Sequence, residues 1–125
     1  GLIPRLSYHA YEGVALNLDE RERLVADLGD TKVMLLRNHG TLALGASPGE
    51  AFSGIYHLEE ACKAQVRTLT VGRDKVLIAP EAAQEEVRRQ IGRERKPVEG
   101  GKSHYDLVWE AALRKAQRQS PGFDA

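Results

Sequence analysis

The segment Val33-Met-Leu-Leu-Arg-Asn-His-Gly-Thr-Leu-Ala-Leu-Gly45 decides the fold of this chain. It contains two dense apolar runs, and each predicts a buried strand, over residues 32–36 and 41–44. Between them stands Arg-Asn-His-Gly, in which Asn and Gly tolerate the positive φ angles of a tight turn. The pattern therefore predicts a β-hairpin with His39 at its tip.

A long, capped helix is predicted directly after the hairpin. Ser47-Pro-Gly-Glu50 has the form of a capping box, in which the Ser47 hydroxyl accepts from the Glu50 amide and the Glu50 side chain reaches back. Spacings of three and four residues then define one mostly apolar stripe, which Gly72 ends. Its members are Phe52, Ile55, Tyr56, Glu59, Cys62, Val66 and Leu69. Cys62 is therefore expected to be a small buried hydrophobe rather than a nucleophile.

The sequence before the hairpin predicts one strand and one helix. The short apolar stretch within residues 12–17 favours a strand. Asp19 then opens a helix with apolar residues on one face, and Gly29 is its expected C-terminal stop.

The sequence after the long helix predicts a strand, two helices and a loop. Residues 75–79 are apolar and favour a strand, and residues 81–91 favour a helix whose charges suit its dipole. Residues 92–102 are charged and Gly-rich, which predicts an exposed loop. The last helix is expected to start near Ser103 and to carry Trp109, before a frayed tail.

The composition excludes several classes of protein. A chain of 125 residues suits one domain with its own core. Lys plus Arg and Asp plus Glu are both 18, so the net charge is zero and neither a nucleic-acid nor a membrane partner is expected. No apolar run approaches the roughly 20 residues that span a bilayer, and the first residues lack the layout of a signal peptide. With a single cysteine, these features predict a cytoplasmic location.

His39 is the candidate metal ligand, although its spacing alone is weak support. An imidazole on a turn between two buried strands is held in place by the sheet, which suits a metal ligand. A lone histidine in a turn is nevertheless more often an ordinary polar residue. For His9, His57 and His104, polar roles at the surface or behind a site are expected rather than metal ligation.

The order of these features resembles the class II aldolase/adducin family, and its bacterial adducin-like branch most of all. The resemblance covers about residues 31–71: a strand ending in Arg-Asn-His-Gly, a strand ending in Gly45, a capped helix that begins Glu-Ala-Phe, and Leu58-Glu-Glu-Ala-Cys62. It implies an α/β fold, an α/β/α sandwich around a largely antiparallel sheet. Residues 1–125 would form a single partial domain, the C-terminal half of the family's domain.

The resemblance also implies metal-dependent chemistry. Catalytic members hold a divalent metal, usually zinc, with a His-x-His pair from the N-terminal half and the histidine of Asn-His-Gly, which corresponds to His39. Such a metal stabilises the negative charge that develops when a carbon–carbon bond breaks. The implied function is that of a metal-dependent carbon–carbon lyase acting on a small, sugar-like hydroxy-carbonyl substrate, with or without a phosphate.

The chain departs from the family pattern in its other site residues. It contains no His-x-His, and the family's acid/base and phosphate-binding residues also belong to the N-terminal half. No catalytic residue and no organic-cofactor site can therefore be assigned. One imidazole alone does not hold zinc usefully, so we expect this chain, which starts at Gly1 rather than Met, to be a fragment that is inactive by itself.

Two other interpretations stay open. The chain could serve as a non-catalytic adducin-like module that acts through protein–protein contacts, or as a folded remnant without a function of its own. Catalytic family members are usually tetramers, so the resemblance also implies self-association of the full-length parent. A His-x-His pair upstream of Gly1 would favour the enzyme, and its loss would favour the module.

Overall fold

The computed structural model describes residues 5–13, 18–94 and 101–124, with the side chains of residues 92–94 left aside. In this part of the chain, short strands alternate with helices and the longest helix follows the last strand. The elements are β1 (Ser7–His9), α1 (Glu20–Leu28), β2 (Val33–Leu36), β3 (Gly40–Ala43), α2 (Pro48–Leu69), a 3-10 turn (Arg73–Lys75), α3 (Glu81–Glu94) and α4 (His104–Gln119). None of the described helices is both long and apolar enough to cross a membrane.

A three-stranded sheet with the order β1-β2-β3 lies at the centre. β1 runs parallel to β2, with Ser7 opposite Met34. β2 runs antiparallel to β3, with Leu36 opposite Gly40, which confirms the predicted hairpin. β2 is therefore the central strand, paired on both of its sides.

Helices cover both faces of this sheet. Alternate residues of a strand point to opposite faces. Val33 and Ala43 face α2, because a Cβ atom on Gly54 would lie 3.2 Å from the Ala43 Cβ and 3.5 Å from the Val33 Cγ1. His9 points to the other face, where it contacts Asp27 of α1. With α4 packed against α2, the arrangement is the predicted α/β/α sandwich.

The buried core is small and only partly matches the predicted stripe on α2. Met34 is fully buried and Leu58 is 1% exposed, yet Leu58 lies outside that stripe. Tyr56 and Val66, which lie on the stripe, are 53% and 66% exposed, and Cys62 is half-buried rather than buried. The prediction that this stripe forms the buried face of α2 was therefore wrong in part. Small residues bring α2 close to its neighbours, and the second half of this long helix extends beyond the short strands.

The start of α2 confirms the predicted cap. The Ser47 Oγ accepts from the Glu50 amide at 3.2 Å, and the Glu50 carboxylate accepts from the Ala46 amide at 2.7 Å. Glu50 also pairs with Lys32 at the start of the sheet. A Cβ atom on Gly45 would lie 2.5 Å from the Ala51 nitrogen, so the sharp entry into the helix requires glycine there.

α4 packs against the first turns of α2. It begins as predicted, because the Ser103 hydroxyl accepts from the Asp106 amide and the Asp106 carboxylate accepts from the Ser103 amide. The Trp109 ring meets Phe52 edge-on, with the ring centroids 5.6 Å apart. Trp109 thus packs α4 against α2.

The predicted strand at residues 75–79 is wrong. Lys75 ends a 3-10 turn, and residues 76–80 pair with no strand in the described part of the chain. Leu77 and Ile78 are 99% and 82% exposed. Apolar residues of this kind form a strand only where a sheet edge is within reach, and the chain leaves α2 at a distance from the sheet.

Two further predictions are only partly tested. In the predicted strand over residues 12–17, residues 12 and 13 are not in a strand and residues 14–17 lie outside the described residues. The predicted loop over residues 92–102 begins too early, because α3 continues to Glu94; residues 95–100 lie outside the described residues. The predicted helix after Asp19, with its stop at Gly29, is confirmed.

The α2–α4 contact predicts an intolerance to side chains at Gly49. A Cβ atom there would lie 2.6 Å from the Tyr105 carbonyl oxygen and 3.0 Å from the Trp109 Cβ. We expect Gly49→Ala to lower the free energy of unfolding by about 1–3 kcal/mol, because backbone atoms must move apart. Urea denaturation of the chain measures the change. Gly40→Ala is the control, since a Cβ there meets nothing within 4 Å, and equal stability of the two variants would contradict the close packing.

Candidate functional site

The hairpin turn holds His39 in a defined position. β2 ends at Leu36, and Arg37, Asn38 and His39 form the loop before β3. Asn38 has φ +53°, so it supplies the left-handed residue that the motif predicted. The His39 amide donates to the Leu36 carbonyl oxygen at 3.1 Å and closes the turn. The backbone that carries the imidazole is therefore fixed on both sides.

The His39 side chain is exposed at the tip of the hairpin, as predicted. Its ring makes no hydrogen bond or ion pair with another described residue. Nothing in that part of the chain competes with an external partner for its nitrogen atoms. Such an imidazole is available as a metal ligand.

His39 also lines a shallow cavity of about 70 Å³ on the face of the sheet that α1 covers. Both charged and apolar residues contribute to its wall. Besides His39, they include His9, Glu12, Glu20, Leu24 and Leu36. The turn and the α1 layer thus meet in one concave site.

His9 lies behind the cavity wall rather than at the surface. The sequence left both positions open for this polar residue, and in the structure it lies on β1 and is only 3% exposed. Its Nδ1 lies 2.8 Å from the Asp27 Oδ2, and its Nε2 lies 3.5 Å from the Glu20 Oε1. The hydrogen bond to Asp27 raises the pKa of His9 above 6.5, with a smaller contribution from Glu20 and against the opposing effect of burial.

A sequence signal for this arrangement exists on α1. Glu20 and Asp27 are seven residues apart, which places them two turns apart on the same helical face. Two carboxylates on the face that covers a sheet require cationic partners. The spacing alone does not name His9 as that partner, because only the β1–α1 packing brings them together.

Arginine side chains complete the charges around the cavity. The Arg23 guanidinium binds both oxygens of the Glu12 carboxylate, with 2.9 Å between Nε and Oε1, and this hydrogen bonding lowers the pKa of Glu12. The Arg37 guanidinium lies 5.3 Å from the centre of the Tyr8 ring. By strand alternation, Tyr8 and His9 point to opposite faces of the sheet, and Arg37 is also among the residues that line the cavity.

The remaining histidines lie away from this cavity. His57 is half-buried on α2, with its ring centroid 5.6 Å from that of Tyr56. His104 is the exposed first residue of α4 and contacts Tyr105. Neither residue lines the cavity with His39.

The described residues do not form a complete metal centre. Within residues 5–13, 18–94 and 101–124, no group of three His, Cys, Asp or Glu side chains is placed to hold a metal ion. The imidazole of His9 is already surrounded by carboxylates, and His57 and His104 are elsewhere. Among the described histidines, His39 is the exposed one that lines the cavity.

Comparison with known proteins identifies the family and its fold. Residues 1–66 match the family profile described as "Class II Aldolase and Adducin N-terminal domain". The crystal structure of an aldolase II superfamily protein from Pseudomonas syringae superposes with a TM-score of 0.80 and 38% identity, over 94% of this chain and 45% of that one. The chain belongs to the class II aldolase/adducin family.

A relative named for class 2 aldolases and a relative named as an adducin are both similar to the chain. A protein of Caulobacter vibrioides that is named for class 2 aldolases is 54% identical over 122 residues, which is 98% of this chain and 45% of that protein. Rat alpha-adducin is 43% identical over 65 residues, 51% of this chain and 9% of the adducin. The chain therefore spans less than half the length of the Caulobacter and Pseudomonas syringae proteins.

The left-handed conformation of Asn38 predicts which substitutions are tolerated at this position. A β-branched side chain in the left-handed region is strained, whereas glycine is not. We expect Asn38→Val to destabilise the chain by about 1–2 kcal/mol and to disturb the amide resonances of His39. Asn38→Gly is the matched control and should leave both unchanged. Thermal unfolding and NMR spectra of the two variants test this, and a tolerated valine would show that the turn is not held at positive φ.

Proposed function

We propose that the chain is part of a metal-dependent carbon–carbon lyase that acts on a small, sugar-like hydroxy-carbonyl compound. The observation that carries this proposal is the exposed imidazole of His39 on a closed turn beside a cavity. Family membership supports the choice of chemistry. Phosphorylated and unphosphorylated substrates are both compatible with it.

In this proposal, His39 contributes one neutral nitrogen ligand to a divalent metal, for which zinc is the leading candidate. A metal bound there would supply positive charge to the carbonyl oxygen of the substrate. The role of the hairpin is to hold the imidazole in place before binding, because the turn is closed by its own backbone hydrogen bond.

The other ligands would lie outside this chain. We propose that residues 1–125 form the C-terminal half of a class II aldolase-type domain and that the missing half carries two more histidines. The span of less than half of two relatives supports this division. A cytoplasmic location, for which the single cysteine argues, belongs to the same proposal.

A second candidate function is that of a non-catalytic, adducin-like interaction module. The similarity to alpha-adducin favours it. The two functions differ in whether the full-length protein retains metal through His39. A folded remnant without a function would bind neither metal nor partner.

The metal content of the full-length parent tests the ligand role of His39. Loss of a residue that only supports a metal ligand lowers metal affinity roughly 10–100-fold. We expect His39→Ala to lower metal affinity by more than this and to abolish lyase activity. Elemental analysis after dialysis against a weak chelator measures the metal. His104→Ala, an exposed histidine away from the cavity, should retain wild-type metal. Equal metal content in both variants would reject His39 as a ligand.

We also propose that the parent self-associates, as the tetramers of the family's catalytic members suggest. The described residues leave large apolar side chains at the surface, with Leu77 and Ile78 almost fully exposed. Exposed apolar side chains in one place are typical of protein–protein contacts. The unpaired outer edges of the described sheet favour association as well.

Sedimentation velocity tests this role of the exposed segment. We expect the wild-type chain to form species larger than its 13.8 kDa monomer, and Leu77→Lys with Ile78→Lys to shift it toward the monomer. The control carries Val25→Lys and Val66→Lys, which change equally apolar residues that are 65% and 66% exposed on other surfaces. A monodisperse wild-type monomer would count against self-association of the chain.

A further inference from the structure

A buried histidine faces three carboxylates where α1 packs on β1. The Nδ1 of His9 lies 2.8 Å from the Asp27 Oδ2, while its Nε2 lies 3.5 Å from the Glu20 Oε1 and 3.9 Å from the Glu12 Oε1. We call these four residues the His9 cluster. Glu20 is the first residue of α1 and Asp27 lies in its last turn, so His9 contacts the helix near both ends.

The other charges around the cluster are already engaged. From α1, Arg23 donates to the Glu12 Oε1, the same oxygen that lies 3.9 Å from the His9 Nε2. From the hairpin turn, Arg37 donates its backbone amide to the His9 carbonyl oxygen at 3.0 Å, while its guanidinium packs on Tyr8. β2 contributes an apolar residue, Leu36, to this surface. Within the described residues, His9 therefore contacts both Asp27 and Glu20, and Arg23 adds an electrostatic attraction to Glu20.

A neutral imidazole cannot satisfy this arrangement. It donates through one nitrogen only, so a proton on Nδ1 would leave the Nε2 lone pair facing the carboxylates of Glu20 and Glu12. A proton on Nε2 would instead leave a lone pair 2.8 Å from the Asp27 oxygen. The Nε2 atom is buried and makes no hydrogen bond of good geometry to a described residue, so its attraction to Glu20 depends on the charge of the ring.

We propose that the His9 cluster is a pH-sensitive latch that holds α1 against β1 and shapes the cavity beside His39. With the proton on His9, both ends of α1 are attached to the strand. Without it, Glu20 and Glu12 face an acceptor in a buried place, and the cavity wall that they form loosens. The latch requires no metal, so it stands independently of the proposed lyase function.

The direction of the pH dependence follows from the charge of His9. The pKa of His9 is raised above its ordinary value of 6.5, so the charged ring is favoured by folding. Its stabilising contribution is complete below pH 6.5 and is lost as the pH rises through the raised value. Because Arg23 lowers the pKa of Glu12, that carboxylate stays ionised throughout this range. The latch is therefore closed at acidic to neutral pH and opens on the alkaline side.

NMR of the isotopically labelled chain from about pH 6 to about pH 9 tests the latch. The ring nitrogens of His9 report its protonation, and hydrogen exchange of the α1 amides, corrected for intrinsic rates, reports the opening of the helix. As the pH rises through this range, we expect the equilibrium constant for the opening of α1 to increase tenfold for each unit by which the pKa of His9 in the folded chain exceeds 6.5. In His9→Gln, which keeps one donor and cannot titrate, it should not change with pH.

Two further variants keep the test decisive if His9→Gln fails to fold. Glu20→Gln removes one carboxylate from the His9 cluster, so the midpoint of α1 opening should move to lower pH. Glu22→Gln changes an exposed carboxylate in the same first turn and should leave the midpoint unchanged. The proposal is overturned by a His9 ring that is already neutral at pH 6.5, by exchange of α1 that is independent of pH, or by equal midpoints in the two glutamine variants.

Discussion

The pairing of β2 on both of its sides is the constraint on which the rest of the structure depends. Its residues Val33 and Met34 are both buried although they point to opposite faces of the sheet, so the strand needs cover above and below as well as partners at each edge. α1 covers one face and α2 the other, with α4 behind α2. Each layer of the sandwich is thus placed by its relation to this one strand of four residues.

The turn that follows β2 determines how the two histidines near the cavity are exposed. Where the strand stops, Asn38 turns the chain through a left-handed conformation and leaves the His39 ring exposed beside the α1 layer. The same strand receives β1, which carries His9 beneath α1. One histidine is therefore open to an external ligand, while the other is enclosed by carboxylates of its own chain. Their opposite environments follow from their positions on one sheet.

Packing between helices depends on glycine as much as on large apolar residues. Gly49 allows α4 to cross the first turns of α2, and Gly45 allows the chain to enter α2 sharply after β3. The periodicity of large residues on α2 predicted a different buried face, because it gives no weight to such close contacts. Likewise, residues 75–79 have the composition of a strand but no sheet edge to join, so Leu77 and Ile78 remain at the surface.

The sequence by itself determined the features that arise from local interactions. The hairpin, its left-handed Asn38, the cap at Ser47 and the exposed position of His39 all depend on residues within a few positions of one another, whose conformational preferences are intrinsic. Only the tertiary structure decided which residues meet across the chain. The burial of His9 among the carboxylates that follow it depends on how α1 packs on β1, and no local preference encodes that contact.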